Sequence, residues 1–431
     1  MDWFTSLRAL GSLVVLIGIL ALFSDNRKRI PWLLVAKGLV IQFLFAFLIL
    51  RVKSIESGFQ AVGQIFVNIL GYTREGSLFL FGSLISNTDS FGYIFAFQVL
   101  PTVIFFSAFT SLMYYWGILQ KVVWVFAWIM RWTLKVSGAE SLAAAGNIFL
   151  GQTEAPLLVK PYIGKMTKSE LLSLMTGGMA TIAGGVLAAY IGYLGGDSEA
   201  SRLFFAKHLL AASVMSAPAA IVAAKILVPE TESFNQEMHI SRESNGDHWL
   251  DALSRGTSDG LKLAVNVGAM LLVFTAFIYL VNSLLADGIG AYTGLNAWMA
   301  DFSGGRYTSF NLQAILGLSL APLTWLMGVN WADAPLVGQL LGEKTILNEF
   351  YAYVTLGNLI ETGALTNVKS QVMATYILCG FANFASIGIQ IGGIGTLAPH
   401  RRADLSRLGV KALVGGTVAS LFTAVLVGLF Y

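Results

Sequence analysis

Long apolar segments with almost no charge recur along this 431-residue chain. A helix that crosses a membrane needs about 20 apolar residues, because the hydrocarbon core of a bilayer is about 30 Å thick. Charged residues make up 12% of the chain and hydrophobic residues 56%, whereas an ordinary soluble domain has about 25% charged residues. This composition excludes a disordered protein and argues against a soluble enzyme. We therefore predict an all-α integral membrane protein.

The apolar segments predict eight transmembrane helices. They cover residues 10–23, 32–50, 94–119, 171–193, 207–227, 262–285, 372–394 and 408–430. The first is interpreted as a retained span and not a cleaved signal peptide, because it has neither a basic start nor a small-residue cleavage site. Residues 54–93 mix polar and apolar side chains and predict an interfacial segment, whereas residues 229–260 predict a solvated loop.

An amphipathic helix is predicted just after the third span. Lys121, Trp124, Trp128, Arg131 and Lys135 recur at spacings of three and four, so they share one helix face. Tryptophan beside lysine and arginine is typical of a helix that lies in the membrane interface. The alternative, an amphipathic core helix of a soluble protein, is disfavoured by the apolar segments on both sides.

Two parts of the chain repeat one order of elements: interfacial helix, broken apolar segment, Gly-interrupted span and clean span. A single span separates the two repeats, so the second repeat is predicted to start on the opposite side of the membrane. Basic residues are more frequent in the loops assigned to the inside, which predicts that both termini lie outside. Two re-entrant hairpins of opposite orientation are therefore predicted. The predicted units are 1–120 with scaffold spans one to three, 121–228 with transport repeat 1, 229–290 with the polar loop and scaffold span six, and 291–431 with transport repeat 2.

Carboxylates interrupt both broken segments. Glu154 stands beside Gln152 and Thr153 in the first hairpin segment, residues 137–161, and Glu349 stands in the second. A charged side chain at the bilayer centre costs about 2.5–3.5 kcal/mol on insertion scales, so these carboxylates are functional candidates by default. A hairpin cap satisfied by its own side chains is the structural alternative for the first cluster.

The second hairpin segment, residues 333–354, also contains a Gly-Glu-Lys-Thr run at 342–345. The spacing of its glycines does not match a phosphate-binding loop, and no strand precedes it. A nucleotide-phosphate site is therefore disfavoured. Glu343 and Lys344 are expected to pair with each other or with the inner polar network.

Three polar side chains interrupt two spans at matched places. Thr181 follows Gly178 in one repeat, and Asn383 and Ser386 follow Gly380 in the other. Glycines allow such helices to unwind, and side-chain oxygens with freed carbonyls suit a hard cation such as sodium. The four histidines are scattered, and no pair has zinc-ligand spacing.

Three motifs, in order, resemble the concentrative nucleoside transporter family of bacterial type. They are Gln152-Thr153-Glu154-Ala155-Pro156, the pattern GxKxxxNEFxAY from Gly342 to Tyr353, and Gly380-Phe381-Ala382-Asn383 with Ser386. The motifs span residues 146–386, and the span pattern extends the resemblance to nearly the whole chain. The resemblance implies a homotrimer, with a scaffold part and a mobile transport part in each protomer, and cation-coupled nucleoside symport by an elevator-like movement.

The resemblance also implies a role for individual residues. Gln152, Thr153 and Glu154 would bind the nucleobase with Val186 nearby, and Glu349, Asn383 and Ser386 would bind the ribose with Phe381 beside them. A co-transported Na+ would bind the side chains of Asn147 and Thr181 and the carbonyls of Leu150 and Ile182. Thr181 and Ala385 each stand where a serine is usual. Thr181 keeps the oxygen, so sodium is the preferred ion and a proton is the alternative.

The predicted function is a sodium-coupled importer of nucleosides such as uridine and adenosine, in the inner membrane and without an organic cofactor. An elevator-type carrier of another small polar solute is the first alternative. Dicarboxylates and amino acids would need an arginine, whereas the clusters hold Glu154 and Glu349. A membrane-embedded enzyme is disfavoured because neither GxSxG nor HExxH occurs, and the net charge of +3 is too small to indicate a nucleic-acid partner.

Overall fold

A computed structural model of the chain describes residues 3–92, 94–196, 198–235, 237–238 and 248–431, with the side chains at 88 and 89 excepted. Within these ranges the regular elements are helices and there is no strand. Part of the predicted polar loop, including His239, Arg242, Glu243 and Asp247, lies outside the described residues.

The first part of the chain confirms the first three apolar segments as helices. It forms α1 (Trp3–Leu22), α2 (Trp32–Arg51), α3 (Lys53–Phe81), α4 (Ser83–Ser86), α5 (Thr88–Phe91), α6 (Phe95–Gln98), α7 (Leu100–Tyr115) and α8 (Ile118–Leu134). Helix α3 covers most of the segment predicted to be interfacial, as one helix of 29 residues. Its position relative to the membrane stays a prediction.

Helix α8 has the amphipathic character that its sequence predicts. Trp124 and Trp128 are 47% and 52% exposed on one face, whereas Val123 and Ala127 are buried on the other. The helix ends at Lys135, which has a φ of 54° and donates its N–H to the carbonyl of Arg131. A helix with one aromatic, basic face and one buried face suits a position on the membrane surface.

The first hairpin segment turns at its polar tip. The chain forms α9 (Gly138–Asn147), α10 (Ala155–Leu158) and α11 (Lys160–Ile163), with an irregular tip at 148–154. Ser137 and Glu140 form a capping box at the start of α9, which satisfies two free N–H groups. The returning arm consists of two short helices because prolines begin each of them.

Two spans are interrupted in their middle. The first repeat forms α12 (Lys168–Ala180), α13 (Gly184–Gly195) and α14 (Glu199–Leu227). The break between α12 and α13 contains Thr181, as the glycine pattern predicts. The polar residues of the two breaks do not occupy equivalent positions, although the sequence predicts that they match. Thr181 lies at the end of the half-helix before its break. Asn383 lies at the start of the half-helix after the break in the other repeat.

The solvated loop that the sequence predicts at residues 229–260 ends earlier in the structure. A helix begins at Trp249, and an ion pair of 2.9 Å between Asp251 and Arg255, one turn apart, supports its polar first turns. This helix, α15 (Trp249–Asn282), continues through a π-helix at Ser283–Gly290 into α16 (Ala291–Thr293).

The second repeat has the same order of elements as the first. It forms α17 (Leu295–Phe302), α18 (Leu312–Leu326), α19 (Ala334–Ile346), α20 (Glu349–Glu361), α21 (Val368–Leu378), α22 (Phe384–Leu397) and α23 (Arg402–Gly428). Helices α19 and α20 form a second helix–turn–helix with a tip of two residues. The side chain of Asn348 caps α20 by accepting from the N–H of Tyr351 at 2.8 Å.

Seven helices of the described part are long and apolar enough to cross a membrane, whereas the sequence predicts eight. The difference arises at the predicted span 372–394. There the chain forms α21 and α22, and neither helix alone is long enough to cross a membrane. The re-entrant course of the two hairpins stays a prediction, since length and composition alone do not establish it.

Helices α7 and α15 pack closely on each other, and α7 also packs on α13. Helices α12, α14 and α23 form the buried centre, and α1 and α2 pack on α14 and α23. Helix α15 packs along α7, with Gly256 and Gly260 against the α7 backbone, and most of its remaining surface is exposed. The two broken helices meet in the buried centre, and both hairpin tips approach it.

We predict that Gly260→Ala loosens the α7–α15 pair. A Cβ at this position would lie 2.8 Å from the Cα of Ile104, so the variant should lose about 1–3 kcal/mol of stability. Thermal unfolding in detergent measures the loss. Gly18→Ala is the control because a Cβ there meets nothing within 4 Å, and equal melting of the two variants would contradict the packing argument.

Candidate functional site

The two breaks touch each other at the centre of the protein. Gly380 has a φ of 102°, and a Cβ on it would lie 2.5 Å from the carbonyl oxygen of Met179. Only glycine allows so close an approach with this backbone conformation. The ends of four half-helices therefore converge on one small volume.

The carboxylate of Glu349 lies in this volume. Its Oε2 accepts a hydrogen bond of 2.9 Å from the amide of Asn383, and its Oε1 accepts one of 3.3 Å from the hydroxyl of Tyr190. The Tyr190 ring packs against those of Tyr353 and Phe350, at centroid distances of 4.1 and 4.9 Å. Glu349 is buried, and its orientation is set by partners from both repeats.

Asn383 and Ser386 extend the cluster toward the first hairpin. Asn383 caps α22 by accepting from the N–H of Ser386 at 2.9 Å, and the Ser386 hydroxyl accepts from Nε2 of Gln152 at 3.1 Å. The other amide atom of Gln152, Oε1, is buried without a partner. A continuous chain of polar side chains thus joins Glu349 to the first hairpin tip, and we refer to Glu349, Asn383, Ser386 and Gln152 as the central cluster.

Two other predicted residues of this hairpin point elsewhere. Glu154 lines a separate cavity of 270 Å³ between the hairpin tip and the α7–α15 pair, where Ser111 and Asp259 are among its neighbours. Its Oε2 accepts from the N–H of Gly151 at 3.4 Å. Thr153 lies against Gly393 of α22.

The two predicted apolar contacts lie at the breaks, one on a half-helix and one in the break itself. Val186 is buried on α13, and Phe381 is half-buried in the break before α22. Val186 is in the same half-helix as Tyr190, which donates to Glu349. Phe381 is two residues before Asn383, a member of the central cluster. Their role in binding stays a prediction.

The predicted sodium ligands lie on the other side of the first break. Asn147 is 1% exposed, and neither its amide oxygen nor its amide nitrogen has a hydrogen-bond partner. It packs against Gly177, whose carbonyl accepts the Thr181 hydroxyl at 2.9 Å. Leu150 and Ile182, the predicted carbonyl ligands, are both buried nearby in the hairpin tip and the break.

A buried amide without a partner is costly, and a small cation that binds its oxygen would remove part of that cost. Hard cations prefer oxygen ligands of this kind. The described residues contain no group of three or more His, Cys, Asp or Glu side chains that could bind a metal ion. Binding of sodium at Asn147 stays a prediction.

Lys344 does not pair with Glu343, although their neighbouring positions allowed that prediction. It is fully buried, and its ammonium donates to the carbonyls of Ile377 and Cys379 at 2.8 and 3.2 Å and to the Ser420 hydroxyl at 3.0 Å. It therefore caps the end of α21, where the break leaves carbonyls without helical partners. The nearest sequence signal for this role is the Glu343-Lys344 pair within an otherwise largely apolar segment.

Sequence reasoning missed two further polar side chains. Tyr190 donates to Glu349, and the amide of Gln390 donates to the carbonyl of Met175 in α12 at 2.9 Å. Gln390 stands in an otherwise apolar stretch of α22. A single glutamine in an apolar helix is a sequence signal from which Gln390 could have been predicted as a candidate.

Comparison with known proteins gives the family. A model described as Na+ dependent nucleoside transporter C-terminus matches residues 208–428, and its N-terminal counterpart matches residues 11–84. A model described as Nucleoside recognition matches residues 96–197 between them. This chain belongs to the concentrative nucleoside transporter family. It is a multi-pass membrane transporter of the Na+-dependent nucleoside class, in a family of transporters and not enzymes.

Similar proteins occur in bacteria and vertebrates. An uncharacterized transporter of Haemophilus influenzae is 42% identical, with 97% of this chain and 96% of the relative covered. Sodium/nucleoside cotransporter 1 of Rattus norvegicus is 38% identical over 95% of this chain and 61% of its own length. Solute carrier family 28 member 3 of Mus musculus is 40% identical over 98% and 59%. The chain thus spans about three-fifths of these vertebrate relatives.

Solved structures of the transporter CNTnw have the same fold. Its inward-facing substrate-bound structure is 37% identical, with a TM-score of 0.88 and coverage of 99% of this chain and 98% of that chain. An outward-facing variant is 36% identical, with a TM-score of 0.91 and coverage of 100% and 99%. CNTnw therefore adopts alternating-access states in the fold that this chain shares.

We predict that Lys344→Met destabilises the protein and weakens nucleoside binding. The substitution leaves two carbonyls at the end of α21 without a donor, so at least about 2 kcal/mol should be lost. Thermal unfolding in detergent and nucleoside binding to the same preparation measure the two effects. Lys121→Met, at an exposed position on α8, is the control and should change stability by less than about 0.5 kcal/mol. Unfolding of both variants at the temperature of the native protein would refute the capping role.

Proposed function

We propose that this protein imports nucleosides, such as uridine and adenosine, together with sodium. The central cluster carries the proposal. It joins a carboxylate, two amides and a hydroxyl from both repeats in one buried volume, which suits a neutral ligand rich in hydroxyl groups. Membership of the family supports the substrate class.

The ribose would bind at Glu349. A carboxylate accepts two adjacent hydroxyls well, and hydrogen bonds to a charged acceptor are stronger than neutral ones. Asn383 and Ser386 would supply further polar contacts, with Phe381 beside the sugar. The side chains of Glu349 and Asn383 are already hydrogen-bonded to each other, and the Ser386 hydroxyl lies in the same chain of hydrogen bonds through Gln152.

The nucleobase would lie at the first hairpin tip, between Gln152 and Glu154, with Thr153 and Val186 beside it. The unpartnered Oε1 of Gln152 is free to accept from a base. Glu154 lines the cavity between the hairpin tip and the α7–α15 pair, and the base would reach from Gln152 toward that cavity.

The charges of the site disfavour an anionic solute. Dicarboxylates and amino acids would need a cation in the central cluster. Lys344, the buried cation nearest to it, directs its three hydrogen bonds at carbonyls and a hydroxyl of the protein. A neutral nucleoside does not need a cation in the central cluster.

Sodium would bind at Asn147 and Thr181 and at the carbonyls of Leu150 and Ile182. These residues belong to the first hairpin tip and the first break, which are joined by a hydrogen bond of 3.0 Å from the N–H of Gly184 to the carbonyl of Phe149. An ion that orders this junction would also order Gln152, three residues after Phe149. Sodium would therefore raise the affinity for nucleoside, and nucleoside would raise the affinity for sodium by the same factor.

Alternating access would take place by an elevator-like movement in a homotrimer of the inner membrane. The hairpins and broken helices would move as a unit that carries the central cluster. The α7–α15 pair, which packs tightly through Gly256 and Gly260, would remain fixed, and α13 would slide along α7. Helices α1 and α2 pack on α14 and α23, so we propose that they follow the moving part, unlike the predicted scaffold of 1–120.

We predict that Glu349→Gln lowers the affinity for uridine by at least tenfold. The substitution keeps the shape of the side chain and removes the charge, and hydrogen bonds to a charged group contribute about 1.5–3 kcal/mol each. Binding to the purified protein measures the effect. Glu361→Gln, at the exposed end of the same helix, is the control, and a Glu349→Gln variant that binds uridine like the native protein would overturn the assignment of the ribose site.

We also predict that sodium and uridine stabilise the protein together. Thermal unfolding with both ligands should occur at a higher temperature than with either alone, because each increases the affinity for the other. Radiolabelled uridine uptake into proteoliposomes should follow an imposed inward sodium gradient. Uptake that is the same with and without that gradient would remove sodium from the proposed function.

A further inference from the structure

A small cavity away from the central cluster has a basic and polar lining. It encloses 160 Å³ between α3, the short helices α4 and α6, and the helices α7, α13 and α14. Its polar lining residues are Arg74, Ser77, Ser86, Gln98, Thr102 and Arg202. The described lining includes two arginines and no carboxylate, so the charge of this cavity suits an anion.

The two arginines lie on different helices. Arg202, in the first turn of α14, donates from Nε to the carbonyl of Gly196 at 2.7 Å, which restricts the direction of its side chain. Arg74 is exposed on α3 and forms no ion pair with a described carboxylate. A guanidinium group keeps its charge at physiological pH, and its planar fork matches the oxygens of a phosphate group. Arginines on two walls of one cavity are therefore a suitable pair of ligands for a phosphate group.

Hydroxyl groups add to this lining. Ser77 and Thr102 are 6% and 4% exposed, and neither hydroxyl has a hydrogen-bond partner among the described residues. Both residues line the cavity, so the cavity is the place where their hydroxyls would find an acceptor. The amide of Gln98 donates to the carbonyl of Ile85 at 3.2 Å, which joins α6 to α4 and fixes the wall beside them.

The outer face of α3 favours a phospholipid as the source of the phosphate. Ile65, Tyr72 and Phe79 recur at intervals of seven residues and are 55%, 66% and 93% exposed. Tyr72 is two positions before Arg74, so this apolar stripe and the arginine lie on nearly opposite faces of the helix. An exposed apolar stripe suits a helix that lies in the membrane interface, which would put the cavity at the depth of the lipid headgroups. Basic pockets at that depth bind headgroups.

We propose that this cavity binds a phosphate group through Arg74 and Arg202, and that a membrane phospholipid supplies it. Thr102 belongs to α7, whereas Ala189 and Gly192 belong to α13. The bound group would therefore bridge the contact between these two helices. The cavity shares no lining residue with the central cluster, so the proposal does not depend on the solute or the ion that the protein carries.

The experiment measures thermal unfolding of the delipidated protein in a nonionic detergent with increasing dioleoylphosphatidylglycerol. The lipid should raise the unfolding temperature, whereas dioleoylglycerol, which has the same chains and no phosphate, should not. Arg74→Gln should need at least about fivefold more phosphatidylglycerol for half of the shift, because it loses a charged donor. Lys53→Gln removes a charge from an exposed position on the same helix and should respond like the native protein.

Equal responses of Arg74→Gln and the native protein to phosphatidylglycerol would overturn the proposal. An equal shift with dioleoylglycerol would overturn it too, since the acyl chains would then account for the effect. A second titration uses inorganic phosphate without lipid, at constant ionic strength. A shift that phosphate alone produces and that Arg74→Gln loses would support the phosphate site and overturn the lipid as its source. Absence of a shift with both ligands would overturn both parts.

Discussion

Backbone groups that are freed inside a membrane must find partners within the protein. The breaks between α12 and α13 and between α21 and α22 free several such groups, and both repeats supply partners for them. Lys344 donates to the carbonyls at the end of α21, Asn383 accepts at the start of α22, and Ser213 of α14 donates to the carbonyl of Ile148 at 2.8 Å. The centre is therefore polar first because the freed backbone groups need hydrogen-bond partners. The proposed binding site lies at the place where these polar groups are already required.

Three buried carboxylates illustrate three ways to keep such a group inside the protein. Glu140 is paired with Lys225 at 2.6 Å. Glu349 accepts from Tyr190 and Asn383, with Lys344 near enough to act on its charge. Glu343 accepts from the amide of Gln339, and no ion pair joins it to a cation among the described residues. The first arrangement suits a fixed structural role, and the second suits exchange of internal partners for a ligand.

Much of the fold could be predicted from the sequence because the scarcity of charge makes each polar interruption conspicuous. The helices, both hairpin tips and both breaks follow from apolar length and from the positions of Gly, Pro and Glu. Glu349, Asn383, Ser386 and Gln152 could be named as candidates, and their mutual contact required the folded chain. The side-chain directions could not be predicted: Glu154 faces a neighbouring cavity, and Lys344 turns away from Glu343. The helical start of α15 was missed because its first turns are polar, and a single ion pair between adjacent turns supports them.

The hydrogen bond between Gln152 and Ser386 crosses from one repeat to the other. Without a ligand, the members of the central cluster are hydrogen-bonded mainly to one another, and Oε1 of Gln152 is left without a partner. In the proposed binding mode, a solute would have to break this internal bond and replace it, and its net affinity would be the difference between the two sets of contacts. A molecule with too few hydroxyl or amide groups would leave protein groups unpaired and would be rejected for that reason. In the proposed transport cycle, the same internal hydrogen bond would keep the groups of the empty site paired while the protein returns without a solute.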